Sequence, residues 1–246
     1  MFEKLIQFLF GSAEEQSRHF DNLTYYIQFK NLADDAAHIL VAGATGSGKS
    51  VFINDFIYSL SASSNADYIL LDPKRVELVR WRNTLDCVGY ACENDDMIGY
   101  LNGAISEMDR RYRQMAKKGI VKWDGDDRWI IIDELADLMV TDKKRVMPLL
   151  QRIAQLGRAA GIHLLCATQS PSRKTIPAEL TLNFTHKIAL RCDSAIESRQ
   201  IIGTDGAEDL PKYGKGLLHR PGGLAWFPIP LTEEDKLKER IALLQK

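Results

Sequence analysis

Gly43-Ala44-Thr45-Gly46-Ser47-Gly48-Lys49-Ser50 is a complete G-x-x-x-x-G-K-[ST] stretch. It lies between an apolar run, His38 to Ala42, that reads as a buried strand, and a second run, Val51 to Leu60, with apolar residues at helical spacing. That setting gives the motif its meaning. Three glycines let the backbone curl without Cβ clashes, so that successive N–H groups point inward at a di- or triphosphate. The N-terminus of the following helix adds partial positive charge. Residues Gly43 to Ser50, with Val51 in the first helical turn, are therefore the expected ATP-binding set. Lys49 is expected to reach the β- and γ-phosphates, and the Ser50 hydroxyl to ligate Mg²⁺.

Working outward, Ser61 to Ala66 reads as a polar loop and Tyr68 to Leu71 as a second apolar strand ending at Asp72-Pro73. Cys87 to Ala91 suggests a short strand. A long helix is predicted from Asn94, as its cap, to Lys118, with Gly119 ending it. Met97, Leu101, Ala104, Ile105, Met108, Tyr112 and Met115 form its apolar face, opposite a basic face of Arg110, Arg111, Arg113, Lys117 and Lys118. Trp129 to Glu134 reads as a strand, Leu149 to Ala160 as a helix with Pro148 in its first turn, and Ile162 to Thr168 and His186 to Arg191 as further strands. Gly216 to His219 and Leu224 to Ile229 read as a hairpin around Pro221-Gly222-Gly223, followed by a helix from Thr232, as cap, to Gln245. Strands apolar throughout and separated by helices define an α/β fold, with a mainly parallel sheet covered on both faces and a C-terminal β-hairpin extension.

Two further strand ends carry chemistry. Asp133-Glu134 puts two carboxylates where a strand downstream of the phosphate loop finishes. Asp133 is expected to hold Mg²⁺, and Glu134 to orient and deprotonate the attacking water. Such a pair separates ATP hydrolases of the additional-strand type from most GTPases and kinases. One strand later, Gln169 places an amide at the carboxyl edge, positioned to sense the γ-phosphate or that water. Hydrolysis in such sites draws on an arginine supplied in cis or in trans, for which Arg158 and Arg199 are the candidates. The five histidines show no metal-binding spacing and read as structural or surface residues.

Composition sets outer bounds. The 246 residues are 45% hydrophobic and 26% charged, as in ordinary globular chains, and the formal net charge of −1 supplies no global field for polyanions. Cys87, Cys92, Cys166 and Cys192 form no C-x-x-C pair and read as reduced thiols of a cytoplasmic protein. No apolar run reaches the ~18 to 20 residues of a membrane span. Met1 to Phe10 reads as a short amphipathic helix, docked on the domain or a neighbouring subunit, or serving as a weak membrane-surface anchor.

Gly43 to Ser50, Asp72-Pro-Lys-Arg-Val-Glu-Leu78, Glu107-Met-Asp-Arg-Arg-Tyr-Arg113, Ile132-Asp-Glu-Leu-Ala-Asp-Leu-Met139, Gln155-Leu-Gly-Arg-Ala-Ala-Gly-Ile-His163, Ala167-Thr-Gln169 and Gly206-Ala-Glu208 together resemble the motor domain of FtsK/SpoIIIE DNA translocases. The resemblance implies a RecA-like fold, ATP hydrolysis at the subunit interfaces of a hexameric homo-oligomer, and double-stranded DNA threaded through its pore. It implies Lys49 and Ser50 as Walker A, Asp133 and Glu134 as Walker B, Gln169 as sensor and Arg158 as a finger acting in trans. Arg173 and Lys174, on a loop facing the pore, and Lys117 and Lys118 are the expected phosphate contacts, which read no sequence. The expected organisation is an N-terminal extension over 1–36, the motor domain over 37–230 and a C-terminal helix over 231–246. Full-length translocases also carry a membrane-spanning region and a DNA-reading winged-helix domain, for which a separate membrane or DNA-reading partner is the expectation. The alternatives are a related ATPase that moves polypeptide or nucleoprotein in a secretion or conjugation apparatus, and a slow nucleotide-gated assembly module.

Overall fold

The fold is taken from a computed structural model, which describes residues 26–63, 66–172, 175–230, 232 and 234–245. The expected Met1 to Phe10 helix lies outside them.

Helix α1 covers 26–35 and leads into β1 (His38–Ala42), buried along its whole length. The order continues α2 (Lys49–Ser63), β2 (Ala66–Leu71), a 3₁₀ turn (Val79–Trp81), β3 (Cys87–Ala91), α3 (Asn94–Lys118), β4 (Asp127–Ile132) and α4 (Leu135–Leu156). A second 3₁₀ turn (Gly157–Ala160), β5 (Ile162–Thr168), α5 (Ala178–Thr181), β6 (His186–Ala189), α6 (Ala195–Ile202), β7 (Lys215–Arg220), β8 (Gly223–Pro228) and α7 (Glu234–Leu244) complete it.

One eight-stranded sheet runs in the order β3-β2-β4-β5-β1-β6-β7-β8. Its members from β3 to β6 are parallel, and β7 and β8 return antiparallel as the expected hairpin. Successive residues of a strand face opposite sides, so each interior strand feeds two cores. Ile39, Val41, Leu70, Trp129, Ile131 and Leu165 pack with α1, α2 and α7 on one face. Leu40, Ile69, Leu71, Ile130, Ile132 and Leu164 pack with α3 and α4 on the other. The flanking segments share this packing. Phe29 of α1 sits edge-on to Phe52 at 5.1 Å and Phe227 at 5.4 Å, while Leu237 and Ile241 of α7 join the same cluster.

Several local expectations change. Helix α2 runs on through Ser61 to Ser63, and β2 starts at Ala66, so the polar loop shrinks. The N-cap of α3 is Glu93 rather than Asn94, whose amide donates instead to Asp142 (3.4 Å). Gly119 ends that helix in the left-handed conformation (φ 67°), as its position suggested. Helix α4 begins at Leu135, well before Leu149, and kinks at Asp142 (φ −150°, ψ 59°). There the Asp142 carboxylate accepts the Arg145 N–H at 3.2 Å and restarts the helix as an internal cap. Pro148 thus lies past the first turn. Its ring and the Lys144 carbonyl it leaves without an amide partner are both on exposed residues, where water can serve the carbonyl. Thr232 does not cap α7 through its hydroxyl, which donates to Asp55 at 3.0 Å. Strand β6 stops at Ala189, short of Arg191. Among the described residues, no helix is long and apolar enough to cross a membrane.

Candidate active site

The chain leaves β1 for β2, on the side of its neighbour β5, and reaches its other neighbour, β6, only later, so the carboxyl ends of these strands are a topological switch point, where open α/β sheets form their ligand crevice. The phosphate loop fills it. Gly43 N–H donates to Thr168 O (3.4 Å) and Ala44 N–H to Arg191 O (2.8 Å), which ties the loop to the strand exits on both sides. A Cβ at Gly43 would lie 2.7 Å from Leu190 Cβ and 2.8 Å from Ser47 Oγ, so only glycine fits. Gly46 and Gly48 adopt φ 73° and 101°, which L side chains resist. Helix α2 then starts at Lys49, and the N–H groups of Lys49, Ser50 and Val51 have no acceptor within their own helix.

Lys49 is only 8% exposed and donates to the loop's own Gly43 O (2.6 Å) and Ala44 O (3.0 Å). Burial, aided by the neighbouring Lys74 charge, pushes its pKa down to about 8 against the opposing pull of Glu134 and Asp133. The Ser47 hydroxyl is buried among these groups without a partner.

The acid pair arrives on the same edge because Leu71, Ile132 and Cys166 are level in neighbouring parallel strands. Asp133 N–H continues the ladder to Leu71 O at 3.3 Å. The Asp133 carboxyl is buried, and burial first, then Glu77 and Asp72, push it up to about 7. Glu134 occupies the N-cap position of α4, yet its carboxylate makes no cap bond. It accepts instead from Lys74 Nζ (3.0 Å) and from Gln169 N–H (3.1 and 3.2 Å). Gln169 Oε1 in turn accepts the Thr45 hydroxyl at 3.0 Å. Gln169 thus joins the phosphate loop to the second acid.

The structure therefore brings Gly43 to Ser50, Asp133, Glu134 and Gln169 to one cleft. It adds Lys74, together with Asp72 and Glu77, to which no role was given in the sequence. The available signal was positional: Asp72-Pro-Lys-Arg follows β2, the strand beside β4, at the same sheet edge. Among the described residues no group of three or more His, Cys, Asp or Glu could hold a metal by themselves. A hydroxyl and one buried carboxylate are instead the sparse, hard-oxygen donor set that suits Mg²⁺ completed by phosphate and water.

Other expected residues lie elsewhere. Arg158 is exposed on the 3₁₀ turn before β5, at the amino edge of the sheet and away from its own phosphate loop. Arg199, on α6, pairs with Asp205 at 3.1 Å. Lys117 and Lys118 end α3, also at the amino edge, and Lys118 pairs with Asp124 at 2.9 Å. Arg173 and Lys174 lie outside the described residues. Arg111 does not belong to a solvated basic face. It is 4% exposed, and its guanidinium donates to Ala160 O (3.0 Å), Gly161 O (2.9 Å) and Glu107 (2.8 Å), capping the turn that carries Arg158. Helical spacing placed it opposite the apolar stripe, but the 3₁₀ turn packs there and needs a donor for its terminal carbonyls.

A largely parallel sheet, a phosphate loop after β1, and an acid pair on β4 with one strand, β5, between them define the additional-strand class of P-loop ATPase folds. Within that class the chain belongs to the FtsK/SpoIIIE family, whose model matches residues 17–130 and 128–173. The DNA translocase FtsK of Helicobacter pylori (strain J99) is 34% identical over 227 residues, covering 85% of this chain and 27% of that protein. The DNA translocase FtsK of Clostridium acetobutylicum is 39% identical over 205 residues, 76% of this chain and 26% of that one. The chain thus spans about a quarter of the length of these relatives. Among solved structures, the pCW3 conjugation coupling protein TcpA, in its monomer form with ATPγS, superposes with a TM-score of 0.76 at 25% identity, over 86% of this chain and 66% of that one. The type VII secretion ATPase EccC of Thermomonospora curvata shares the fold, with a TM-score of 0.72 at 23% identity over 85% of this chain and 28% of that one.

Proposed function

We propose that this chain is an ATP-hydrolysing motor module that moves double-stranded DNA as a homo-oligomer, a hexameric ring, in the cytoplasm. The observation that carries the reading is the meeting of Lys49, Asp133, Glu134 and Gln169 at one sheet edge, with Gln169 bonded to both the phosphate loop and Glu134. The family relationship and the relatives named as DNA translocases support the choice of cargo.

In this reading the loop N–H groups and the first turn of α2 hold the triphosphate, and Lys49 leaves Gly43 O and Ala44 O to neutralise its β- and γ-oxygens. Ser50 and Asp133 would hold Mg²⁺, which when bound neutralises charge on the same oxygens. Glu134 takes a proton from a water whose oxygen bonds to the γ-phosphorus, the bond to the β–γ bridging oxygen breaks, and ADP and phosphate result. Gln169 N–H fixes the Glu134 carboxylate, and its amide relays the state of that site to the loop after β5. Arg158 acts in trans, since only a neighbouring subunit's site is within reach of an arginine on the far sheet edge; Arg199 is the second candidate. Lys117, Lys118, Arg173 and Lys174 contact DNA phosphates, with binding that weakens as salt rises.

Steady-state ATPase with and without a DNA duplex tests the reading. Turnover is expected to rise with duplex and to fall by about 100-fold or more in Lys49→Ala and Glu134→Gln. Equal rates with and without duplex would remove DNA as the cargo and leave a polypeptide, tested with an export-signal peptide, as the substrate to examine.

A further inference from the structure

The segment leaving β2 is a tight turn organised by Asp72, which is fully buried. Its backbone O accepts Arg75 N–H at 3.0 Å, and its carboxylate accepts Leu78 N–H at 3.1 Å. Arg75 sits at φ 60°, the only non-glycine residue at positive φ among those described. Its guanidinium reaches an exposed Glu93 at 2.8 Å. This strained turn aims Lys74 at the site.

Lys74 Nζ lies 3.0 Å from Glu134 Oε2, joining a side chain that is 34% exposed to one that is 3% exposed. Gln169 N–H is shared by both Glu134 oxygens, at 3.1 Å to Oε1 and 3.2 Å to Oε2. The carboxylate lone pair directed at Lys74 is withheld from water. Lys74 and Arg75 are consecutive exposed residues of this turn, where a polyanion can compete for the lysine.

We propose that Lys74 is a positioning residue that restrains Glu134 in the resting chain, and that a polyanion arriving at the Lys74–Arg75 turn draws the ammonium away and frees the base. The inference rests on the proposed function for the role of Glu134 and for duplex DNA as the polyanion. It makes DNA stimulation a release of restraint rather than a new contribution to catalysis. A lysine that instead orients Glu134 for attack gives effects of the opposite sign.

The test is steady-state ATPase of the full chain carrying Lys74→Met, which keeps the stem and removes the charge. Without DNA, kcat is expected to rise roughly threefold to tenfold while KM for ATP moves less than about twofold. The ratio of duplex-stimulated to basal turnover shrinks in proportion. Lys74→Arg, which returns a cation to Glu134, brings the basal rate back toward wild type. Lys74→Met combined with Glu134→Gln abolishes the gain, as it must if the gain passes through Glu134. A fall in basal kcat of a Lys74→Met protein with native circular dichroism and melting overturns the inference, as does an unchanged rate. If Lys74→Met does not fold, Lys74→Gln is read by the same criteria. A raised basal rate in a protein whose wild type ignores duplex upholds the restraint and removes DNA as its release. Wild-type stimulation with an unaltered Lys74→Met removes the restraint and leaves the motor reading intact.

Discussion

Replacing Arg111 by Met asks whether this arginine holds the amino edge of the sheet together. The substitution keeps the aliphatic stem but removes donors to Ala160 O (3.0 Å), Gly161 O (2.9 Å) and Glu107 (2.8 Å), and a guanidinium 4.9 Å from the Trp123 ring centroid. Compensation is partial. Gly161 O keeps the Arg128 N–H at 2.8 Å and Glu107 keeps Arg110, so Ala160 O is the acceptor left bare. Removing one buried charge-assisted hydrogen bond and orphaning one carbonyl costs about 2–3 kcal/mol, to which the ring interaction adds about 0.5 to 1 kcal/mol. With a urea m-value of about 3 kcal/mol/M, the midpoint falls by about 1 M. Arg110→Met, at the exposed neighbour in the same motif, should leave the midpoint in place. Arg111→Lys should recover only part of the loss, because one ammonium cannot reproduce the planar fork. Equal midpoints for Arg111→Met and Arg110→Met would refute the reasoning.

The remaining expectations concern separate parts of the molecule. Gly43→Ala forces a methyl to within 2.7 Å of Leu190 Cβ, so stability should drop by about 1–3 kcal/mol and a fluorescent ATP analogue should bind at least about tenfold more weakly in titration. Burial, aided by His163 and Arg158, pushes the His38 imidazole down to about 3, whereas the unfolded chain takes up that proton near 6.5. Between those values the unfolded state binds more protons, so stability falls as pH falls. By pH 5 about 2 kcal/mol should be gone, and urea midpoints of His38→Leu should lack that share of the acid sensitivity. Arg240→Met removes the 2.7 Å ion pair with Asp55, which is 6% exposed, and leaves a buried carboxylate with the Thr232 hydroxyl. We expect a loss of about 2–3 kcal/mol in calorimetry, reduced when Asp55→Asn is added.

The sheet was legible because its strands are apolar on both faces and sharply bounded, as in His38 to Ala42 and Ile162 to Thr168. The phosphate loop was legible because its chemistry is local: one short stretch supplies glycines, lysine and hydroxyl together. Strand order was not, since crossovers over helices leave no mark in periodicity. Helix α4 was misplaced because a charged run, Asp142 to Arg145, and Pro148 imitate a boundary, while the internal cap that bridges the kink depends on backbone angles. Arg111 and Lys74 escaped for a shared reason. Each is a cation whose partner lies far along the chain, at Ala160 and at Glu134, and composition cannot distinguish a cation with such an appointment from one in water.

Lys49 rests on two carbonyls of its own loop. An incoming triphosphate therefore gains only the difference between two sets of hydrogen bonds, and its grip is weaker than the bare charge of lysine suggests. In the proposed hydrolysis the same carbonyls would compete to take the ammonium back, which would hasten the departure of ADP. Under the proposed function, in which the pocket empties before each step along DNA, that rebound would shorten the cycle.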